Sequence, residues 1–296
     1  MILLEDKKKI AVIGGDERQL HCAMYFADAG YETAIYGFES FMGDIGLCTK
    51  ATSLCDALNG CGIVVLPINV GGDENVVFSP FSNSPVTYKN IIENMGENCL
   101  VFMGKATENI KLMFAEGNIS LYDYFEREEL IVANAYLTAE SAVAIALNSC
   151  KESILDMSVL VMGYGRIGKM LCRILKGFGV NVYASARKKK DFEWIRAYGY
   201  SPVDTSRVCD IVSGCGVIFN TIPNLVLSEK ELHCLPKDCL IIDLASKPGG
   251  IDFEAAKNLG LRVVWALALP GKYKPVSAGK VIAKTIFNII EDEVKI

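Results

Sequence analysis

Histidine is scarce in this chain, since His21 and His233 are the only two among 296 residues. The 11 cysteines form no Cys-x-x-Cys pair, and two histidines are too few to complete zinc sites with them. We therefore predict no metal site. Most cysteines lie in apolar surroundings, which favours reduced thiols packed as small core residues.

A net positive charge and long apolar runs are also lacking. The formal net charge is −5 at pH 7, which disfavours nucleic-acid binding because phosphate contacts need a basic surface. No apolar run reaches the ~18 residues of a membrane span, and the N-terminus up to Lys9 has no secretion-signal pattern. These absences predict a cytoplasmic protein that acts on small molecules and binds neither nucleic acid nor membrane.

Short apolar stretches rich in Val, Ile or Leu alternate with helical patterns, which indicates parallel α/β sheets with strands buried on both faces. The predicted strands are 9–13, 32–36, 63–66, 99–102, 120–122, 158–162, 181–184, 217–220, 240–243 and 262–265.

The two halves of the chain resemble each other at an offset of 149 residues. Ile10 to Gly14 matches Val159 to Gly163, and Gly30 matches Gly179. Chance similarity of common βαβ units is an alternative, but two tandem domains explain the offset more simply. We predict two doubly wound Rossmann-like α/β domains flanking a cleft, one of residues 1–133 with a C-terminal helix 276–296, the other of 134–275. Helices are expected at 137–151, linking the domains, and at 277–292.

A glycine-rich loop follows the first predicted strand of the second domain. It reads Gly163-Tyr164-Gly165-Arg166-Ile167-Gly168 and leads into an amphipathic helix. In such loops the first glycine permits a tight turn, the second lets backbone approach a pyrophosphate, and the third lets helix and strand pack closely. We predict dinucleotide binding here, against the alternative of a purely structural turn.

The next strand runs into Ser185-Ala186-Arg187-Lys188. NAD-preferring domains usually carry Asp or Glu here for the ribose 2′-hydroxyl, and none occurs from Val180 to Lys190. Serine and basic side chains suit a 2′-phosphate. NADP(H) is therefore predicted over NAD(H), with a solvated basic turn as the alternative.

The equivalent loop of the first domain has lost the later glycines. The offset places Asp16 at the position of Gly165 and Gln19 at that of Gly168. A carboxylate would repel a pyrophosphate, so this loop is predicted to bind substrate instead. The stretch 71–87 is predicted to be a long loop of the kind that often carries function.

Six motifs together resemble those of the dipicolinate synthase family, in its A-type subunits. They are Gly14-Gly15-Asp16-Glu17-Arg18-Gln19, Asn134-Ala135, Thr138-Ala139-Glu140, Asn220-Thr221-Ile222-Pro223, residues 243–250 and Leu269-Pro270-Gly271-Lys272. The resemblance implies synthesis of pyridine-2,6-dicarboxylate from a lysine-pathway intermediate by dehydration and hydride transfer. It also implies the mother cell of a sporulating bacterium and, as partner, a flavoprotein-like B-type subunit. A homo-oligomer is expected.

The overall plan also resembles the 2-hydroxyacid dehydrogenases and S-adenosylhomocysteine hydrolase. Those dehydrogenases hold a carboxylate with an Arg-Gly-Gly stretch, where this chain has Lys247-Pro248-Gly249-Gly250. They also carry a catalytic histidine further on, and the region from Trp265 to Lys272 has none. Alcohol dehydrogenation therefore lacks its usual base here.

A dicarboxylate substrate requires cationic partners, and the candidates are Arg18, Lys105, Lys247 and Lys272; for each, a solvated surface charge is the alternative. Glu140 is the first candidate for proton transfer, because it is expected at the start of the linking helix, where the dipole favours a carboxylate. Capping together with Thr138 is the alternative for Glu140. Asp16, Lys247 and Asp243 are further catalytic candidates; for Asp243, contact with the cofactor or orientation of its loop is the alternative. Thr138 is also a candidate for substrate binding. The stretch Asn220-Thr221-Ile222-Pro223 is expected at the nicotinamide ribose.

Two other functions stay open. One is a 2-hydroxyacid-dehydrogenase-like enzyme of another substrate. The other is a non-catalytic sensor that binds the dinucleotide and a partner protein.

Overall fold

The chain divides into two compact units. A computed structural model describes residues 9–69 and 73–293. One unit comprises Met1–Asn134 with Lys274–Ile296, and the other comprises Ala135–Tyr273. The segment 1–8, on which the prediction about secretion rests, and residues 71 and 72 of the predicted loop lie outside the described residues.

Parallel six-stranded sheets form the centre of both units within the described residues. The strands are β1 Lys9–Ile13, β2 Glu32–Tyr36, β3 Thr49–Lys50, β4 Ile63–Ile68, β5 Leu100–Gly104, β6 Ser120–Asp123, β7 Ser158–Met162, β8 Asn181–Ala186, β9 Ser201–Asp204, β10 Cys215–Asn220, β11 Leu240–Asp243 and β12 Arg262–Trp265. Each sheet is covered by apolar clusters on both faces.

Helices connect these strands. They are α1 Glu17–Asp28, α2 Leu54–Leu58, α3 Tyr88–Asn94, α4 Glu108–Glu116, α5 Glu128–Ser149, α6 Arg166–Gly177, α7 Lys189–Ala197, α8 Cys209–Val212, α9 Glu229–His233, α10 Phe253–Asn258, α11 Leu269–Tyr273 and α12 Pro275–Glu293.

The two sheets have the same strand order. The first runs β3-β2-β1-β4-β5-β6 and the second β9-β8-β7-β10-β11-β12. Both therefore follow the doubly wound order 3-2-1-4-5-6. The repeat offset is explained, since β1 and β7 hold equivalent places. The prediction of two doubly wound Rossmann-like domains is confirmed, while the cleft stays a prediction.

Helix α5 starts nine residues earlier than predicted, at Glu128 instead of 137. No proline or glycine interrupts 128–149, and Glu128 and Glu129 supply the acidic first turn that favours a helix start. Glu140 consequently lies in the helix interior. The argument that placed it at a helix N-terminus, by dipole or as a cap with Thr138, is wrong.

The same helix is long and apolar enough to cross a membrane by length and composition. An 18-residue window has a mean hydropathy of 1.7, and half of that window is buried inside the protein. The uninterrupted-run criterion missed it because polar residues such as Asn134 and Glu140 are scattered along it. Buried core helices of soluble proteins have the same composition, so this is weak evidence for a span.

Helix α12 packs against α1 through small and aliphatic residues. Gly279 is buried in this contact, and a Cβ placed there would lie 2.4 Å from the carbonyl oxygen of Arg18. Ile282, Ile286 and Ile289 continue the buried face into the core of the first sheet. The backbones of the two helices therefore meet at the glycine.

Candidate functional site

The glycine loop of the second unit lies at the carboxyl edge of its sheet, directly after β7. Gly163 has a φ of +94°, and a Cβ there would lie 2.5 Å from the hydroxyl oxygen of Thr221. The backbone N–H and the hydroxyl of Thr221 both donate to the Met162 carbonyl, at 2.9 and 2.8 Å. The turns after β7 and β10 are thus locked together at the switch point of the sheet.

Gly165 and Gly168 differ in what surrounds them. A Cβ on Gly165, the N-cap of α6, would meet no heavy atom within 4 Å. A Cβ on Gly168 would lie 2.0 Å from the Gly163 carbonyl oxygen, so only glycine allows helix and strand to pack here. The open space at Gly165, beside the N–H groups that begin α6, fits an anionic pyrophosphate.

The other members of the loop have different surroundings. Tyr164 is 9% exposed and belongs to the core, with the Lys169 ammonium 5.5 Å from its ring centroid. Burial raises the pKa of the Tyr164 hydroxyl. Ile167 packs against the same core, and Arg166 is exposed. Tyr164 and Ile167 therefore attach the glycine loop to the apolar core of the second unit.

Ser185 is fully buried at the end of β8. Its hydroxyl accepts from the Gly163 N–H at 3.2 Å and from the Thr205 hydroxyl at 3.3 Å. These contacts make Ser185 a tie between β8 and the glycine loop, which disfavours its predicted contact with a 2′-phosphate. Ala186 is buried as well, whereas Arg187 and Lys188 are exposed directly after the strand.

A buried amide and carboxylate organise the ends of β10 and β11. Asp243 is fully buried and accepts hydrogen bonds from the Asn220 amide at 2.8 Å and from the backbone N–H groups of Ala245 and Gly250 at 3.0 and 2.9 Å. Asn220 also bonds both ways with the backbone of Ile222. Every one of these contacts is internal, so the pair shapes the loops rather than facing a ligand.

The loop held by Asp243 presents Lys247. This residue is exposed, and a cis peptide bond joins it to Pro248. Pro223 is exposed in the neighbouring loop, and Lys272 is exposed on α11. Of the predicted site residues in this unit, Ser185 and Thr221 contact the glycine loop, and Asn220 contacts Asp243.

The equivalent loop of the first unit is covered. A Cβ on Gly14 would lie 2.9 Å from Val77, and the Gly15 N–H donates to the Phe78 carbonyl at 2.7 Å. Gln19 is buried, and its amide donates to the Leu66 carbonyl and the Tyr124 hydroxyl at 2.9 and 3.2 Å. Backbone thus lies over the turn where a dinucleotide domain would receive pyrophosphate.

Asp16 and Arg18 form an ion pair at the start of α1. The Nε and Nη2 groups of Arg18 donate to both carboxylate oxygens of Asp16, at 2.8 to 3.1 Å, and Asp16 also caps the helix by accepting from the Arg18 N–H. The Nη1 group of Arg18 donates to none of the described residues. Asp16 therefore orients Arg18, and this explains its contacts more directly than proton transfer.

Lys105 directly follows β5 in a left-handed conformation, with a φ of +56°. Both oxygens of Asp123 hold this turn, accepting from the N–H groups of Lys105 and Ala106 at 2.9 and 2.8 Å. The Lys105 ammonium lies 4.6 Å from the centroid of the Phe125 ring. A non-glycine residue in this conformation is strained, and such strain concentrates at functional sites.

A cavity of about 460 Å³ lies at the same edge of the first sheet. Its lining includes Asn69, which follows β4, and the loop residues Asp73, Ser79, Ser82, Asn83 and Pro85. Small-molecule sites are commonly of this size and occur at the switch points of α/β sheets.

The candidates on α5, Thr138 and Glu140, are two residues apart and therefore lie on different sides of the helix. Thr138 is 8% exposed and Glu140 is partly exposed. Both have interactions with other groups in the structure.

Comparison with known proteins identifies the relatives of this chain. Residues 9–125 match the family described as the N-terminal domain of the dipicolinate synthase A-type subunit. The A-type subunit of dipicolinate synthase from Bacillus subtilis is 29% identical over 287 residues, which cover 96% of both chains. This chain is similar to these A-type subunits. The crystal structure of the A-type subunit from Bacillus halodurans has a TM-score of 0.84 at 28% identity, covering 96% of this chain and 98% of the other.

Beyond its likeness to the A-type subunits of dipicolinate synthase, the chain matches a second family. Residues 120–248 match the NAD binding domain of D-isomer specific 2-hydroxyacid dehydrogenases. A D-lactate dehydrogenase from Treponema pallidum shares the fold, with a TM-score of 0.60 at 12% identity over 96% of both chains. The match of residues 120–248 supports a nicotinamide dinucleotide as the cofactor and an oxidoreductase role.

Several residues at these edges escaped prediction from sequence. Asp123 and Thr205 act through contacts with residues 17 or more positions away, and the cover of Gly14 and Gly15 by Val77 and Phe78 is equally non-local. The Asx-turn position of Asp123, at the end of β6, was a local signal for its role.

Proposed function

We propose that this chain is the oxidoreductase subunit that forms dipicolinate from a 4-hydroxy-tetrahydrodipicolinate or dihydrodipicolinate precursor, by dehydration and hydride transfer to NADP⁺. The likeness to the A-type subunit of dipicolinate synthase over 96% of both chains carries the proposal. The reaction would take place in the cytoplasm of the mother cell of a sporulating bacterium.

The first unit binds the dicarboxylate and the second binds the dinucleotide, which accepts a hydride when bound. Arg18 and Lys105 are the substrate cations of the first unit. Lys247 and Lys272 are further cations, and Glu140 is the residue for proton transfer. The protein assembles as a homo-oligomer and works with a flavoprotein-like B-type subunit.

The preference for NADP rests on Arg187 and Lys188. Both are exposed where β8 ends, at the place where the ribose of the adenosine half binds in domains of this order. The absence of acidic side chains from Val180 to Lys190 leaves the 2′-phosphate unopposed.

The variant Arg187→Asp tests this preference. The 2′-phosphate of NADP would lose its charge-assisted hydrogen bonds to Arg187 and would be repelled by the new carboxylate. The Kd for NADP should therefore rise by about 10- to 100-fold, at ~1.4 kcal/mol per tenfold. The Kd for NAD should change much less. Lys257→Asp on α10 alters the net charge equally and is the control for titrations of both cofactors. Unchanged NADP affinity in Arg187→Asp would refute the assignment.

The decisive assay supplies the hydroxy-tetrahydrodipicolinate precursor with NADP⁺ and follows pyridine absorbance, with and without the B-type subunit. We expect product in at least one of the two reactions. Bound NADP⁺ with no product in either reaction would contradict the proposal and favour a dinucleotide sensor.

A 2-hydroxyacid dehydrogenase of another substrate is the second candidate, favoured by the match of residues 120–248. It predicts oxidation of NADPH in a screen of 2-keto acids. The lack of histidine from Trp265 to Lys272 opposes it.

A further inference from the structure

Two cysteine sulfur atoms in the second unit lie face to face. Cys209 begins α8 and Cys234 is the C-cap residue of α9. Their Sγ atoms are 2.7 Å apart, about 0.7 Å longer than a disulfide bond. All 11 cysteines of the chain are free thiols in this structure.

This pair combines partial exposure with a neighbouring sulfur atom. Seven cysteines are buried, and Cys150, Cys209 and Cys234 are partly exposed. Cys55 is exposed, and the structure records no sulfur partner for it. Only where two thiols are both accessible and adjacent can an oxidant in solution join them without unfolding the chain.

The surroundings hold the two sulfur atoms in place. Cys234 also lies 3.4 Å from the Lys230 carbonyl oxygen, one turn back in α9. Burial, the neighbouring Cys234 and Glu231 raise the pKa of the Cys209 thiol to about 11, and Lys230 opposes the shift. Exchange should therefore accelerate with rising pH as the thiolate fraction increases.

We propose that Cys209 and Cys234 are a reversible dithiol site that forms an intramolecular disulfide with a low-molecular-weight disulfide as oxidant. One thiolate attacks a sulfur of the small disulfide and releases one small thiol. The second protein thiolate then attacks the mixed disulfide and releases the other. Two protein thiols and one small disulfide thus become one protein disulfide and two small thiols.

The bond would join the helices on either side of β10. The segment between β10 and α9 carries Thr221 and Pro223, and its Val226 N–H donates to the Gly250 carbonyl at 2.9 Å. A Cys209–Cys234 disulfide would therefore restrain α9, which follows the loop that carries Thr221 and Pro223. The inference rests on the geometry of this unit alone and does not depend on the proposed substrate.

The test equilibrates the full-length protein in buffers of oxidised and reduced glutathione, then alkylates it for mass spectrometry. We expect loss of two of the 11 thiols in one step, with no glutathione retained on the pair. After alkylation and trypsin, a disulfide should link peptide 208–230 to peptide 231–237. Because the first peptide also contains Cys215, the variant Cys209→Ser identifies the partner.

Cys55→Ser is the matched control and should still lose two thiols in the same step. Cys209→Ser should retain only a mixed disulfide at Cys234, and its melting temperature under reducing conditions shows that it is folded. The proposal is overturned if the linked peptides persist in folded Cys209→Ser. It is equally overturned if the pair stays reduced in buffers that load glutathione onto Cys55.

Discussion

Replacing Gly165 with alanine should strongly weaken dinucleotide binding while leaving the melting temperature unchanged. The added methyl group would meet no heavy atom of the protein within 4 Å, and the residue has an ordinary φ of −81°. In dinucleotide-binding domains, this glycine is the one at which the backbone approaches the pyrophosphate. We expect the Kd for both NADP and NAD to rise by on the order of 100-fold, about 2.7 kcal/mol.

Gly177→Ala is the matched control. It makes the same change at the other end of α6, again with no heavy atom within 4 Å, and should leave both Kd values unchanged. Gly168 would be uninformative, because a Cβ 2.0 Å from the Gly163 carbonyl oxygen forces the backbone to move. Fluorescence titrations and thermal melts of the two variants provide the measurement. Normal affinity in Gly165→Ala would place the pyrophosphate elsewhere.

All ten strands predicted from sequence are present, and the two that were missed, β3 and β9, are at sheet edges. Thr49–Lys50 is exposed throughout, and Ser201–Asp204 contains a proline and has one buried residue. Neither strand therefore has an apolar run. The other two edge strands, β6 and β12, contain Leu121-Tyr122 and Val263-Val264 and were predicted.

The site was less predictable than the fold, and Ser185 shows why. The order of motifs predicted its position near the end of β8, but the direction of its hydroxyl depends on Thr205, 20 residues away. Glu140 illustrates a second cause. Its helix continues for 12 residues before it, because nothing in 128–139 breaks a helix. The start of α5 depends on nearby residues and could have been read from the sequence. The hydrogen-bond partner of Ser185 depends on the folded sheet and could not.

In the first unit, the sequence and the structure give different arguments against a dinucleotide at the glycine turn. In the sequence, Asp16 brings a carboxylate and Gln19 replaces the third glycine of the loop. The structure adds Val77 and Phe78, which cover the glycine turn, and it directs Asp16 toward Arg18. Asp16 occupies the Nε and Nη2 groups of Arg18. A substrate carboxylate at this edge would therefore accept hydrogen bonds from the Nη1 group.

Gly279→Ala should strongly destabilise the first unit. The new Cβ would lie 2.4 Å from the Arg18 carbonyl oxygen and 2.7 Å from the Cys22 nitrogen. Both are backbone atoms of α1, so the helices must separate and the packing of Ile282 and Ile286 is lost. Overpacking of this kind costs about 1–3 kcal/mol, and we expect the upper end or beyond, because no flexible side chain can yield.

The two glycine-to-alanine variants should change the free energy of unfolding in different directions. In an open helix, alanine is favoured over glycine by up to ~1 kcal/mol, so Gly177→Ala on α6 should be neutral or slightly stabilising. Denaturant unfolding of both variants, followed by a probe in each unit, separates the two outcomes. Because α1 carries Arg18 in its first turn, folded Gly279→Ala should also bind the dicarboxylate more weakly, while the Kd for NADP is unchanged. A stability equal to or above that of the parent protein would mean that α1 and α12 do not meet at Gly279.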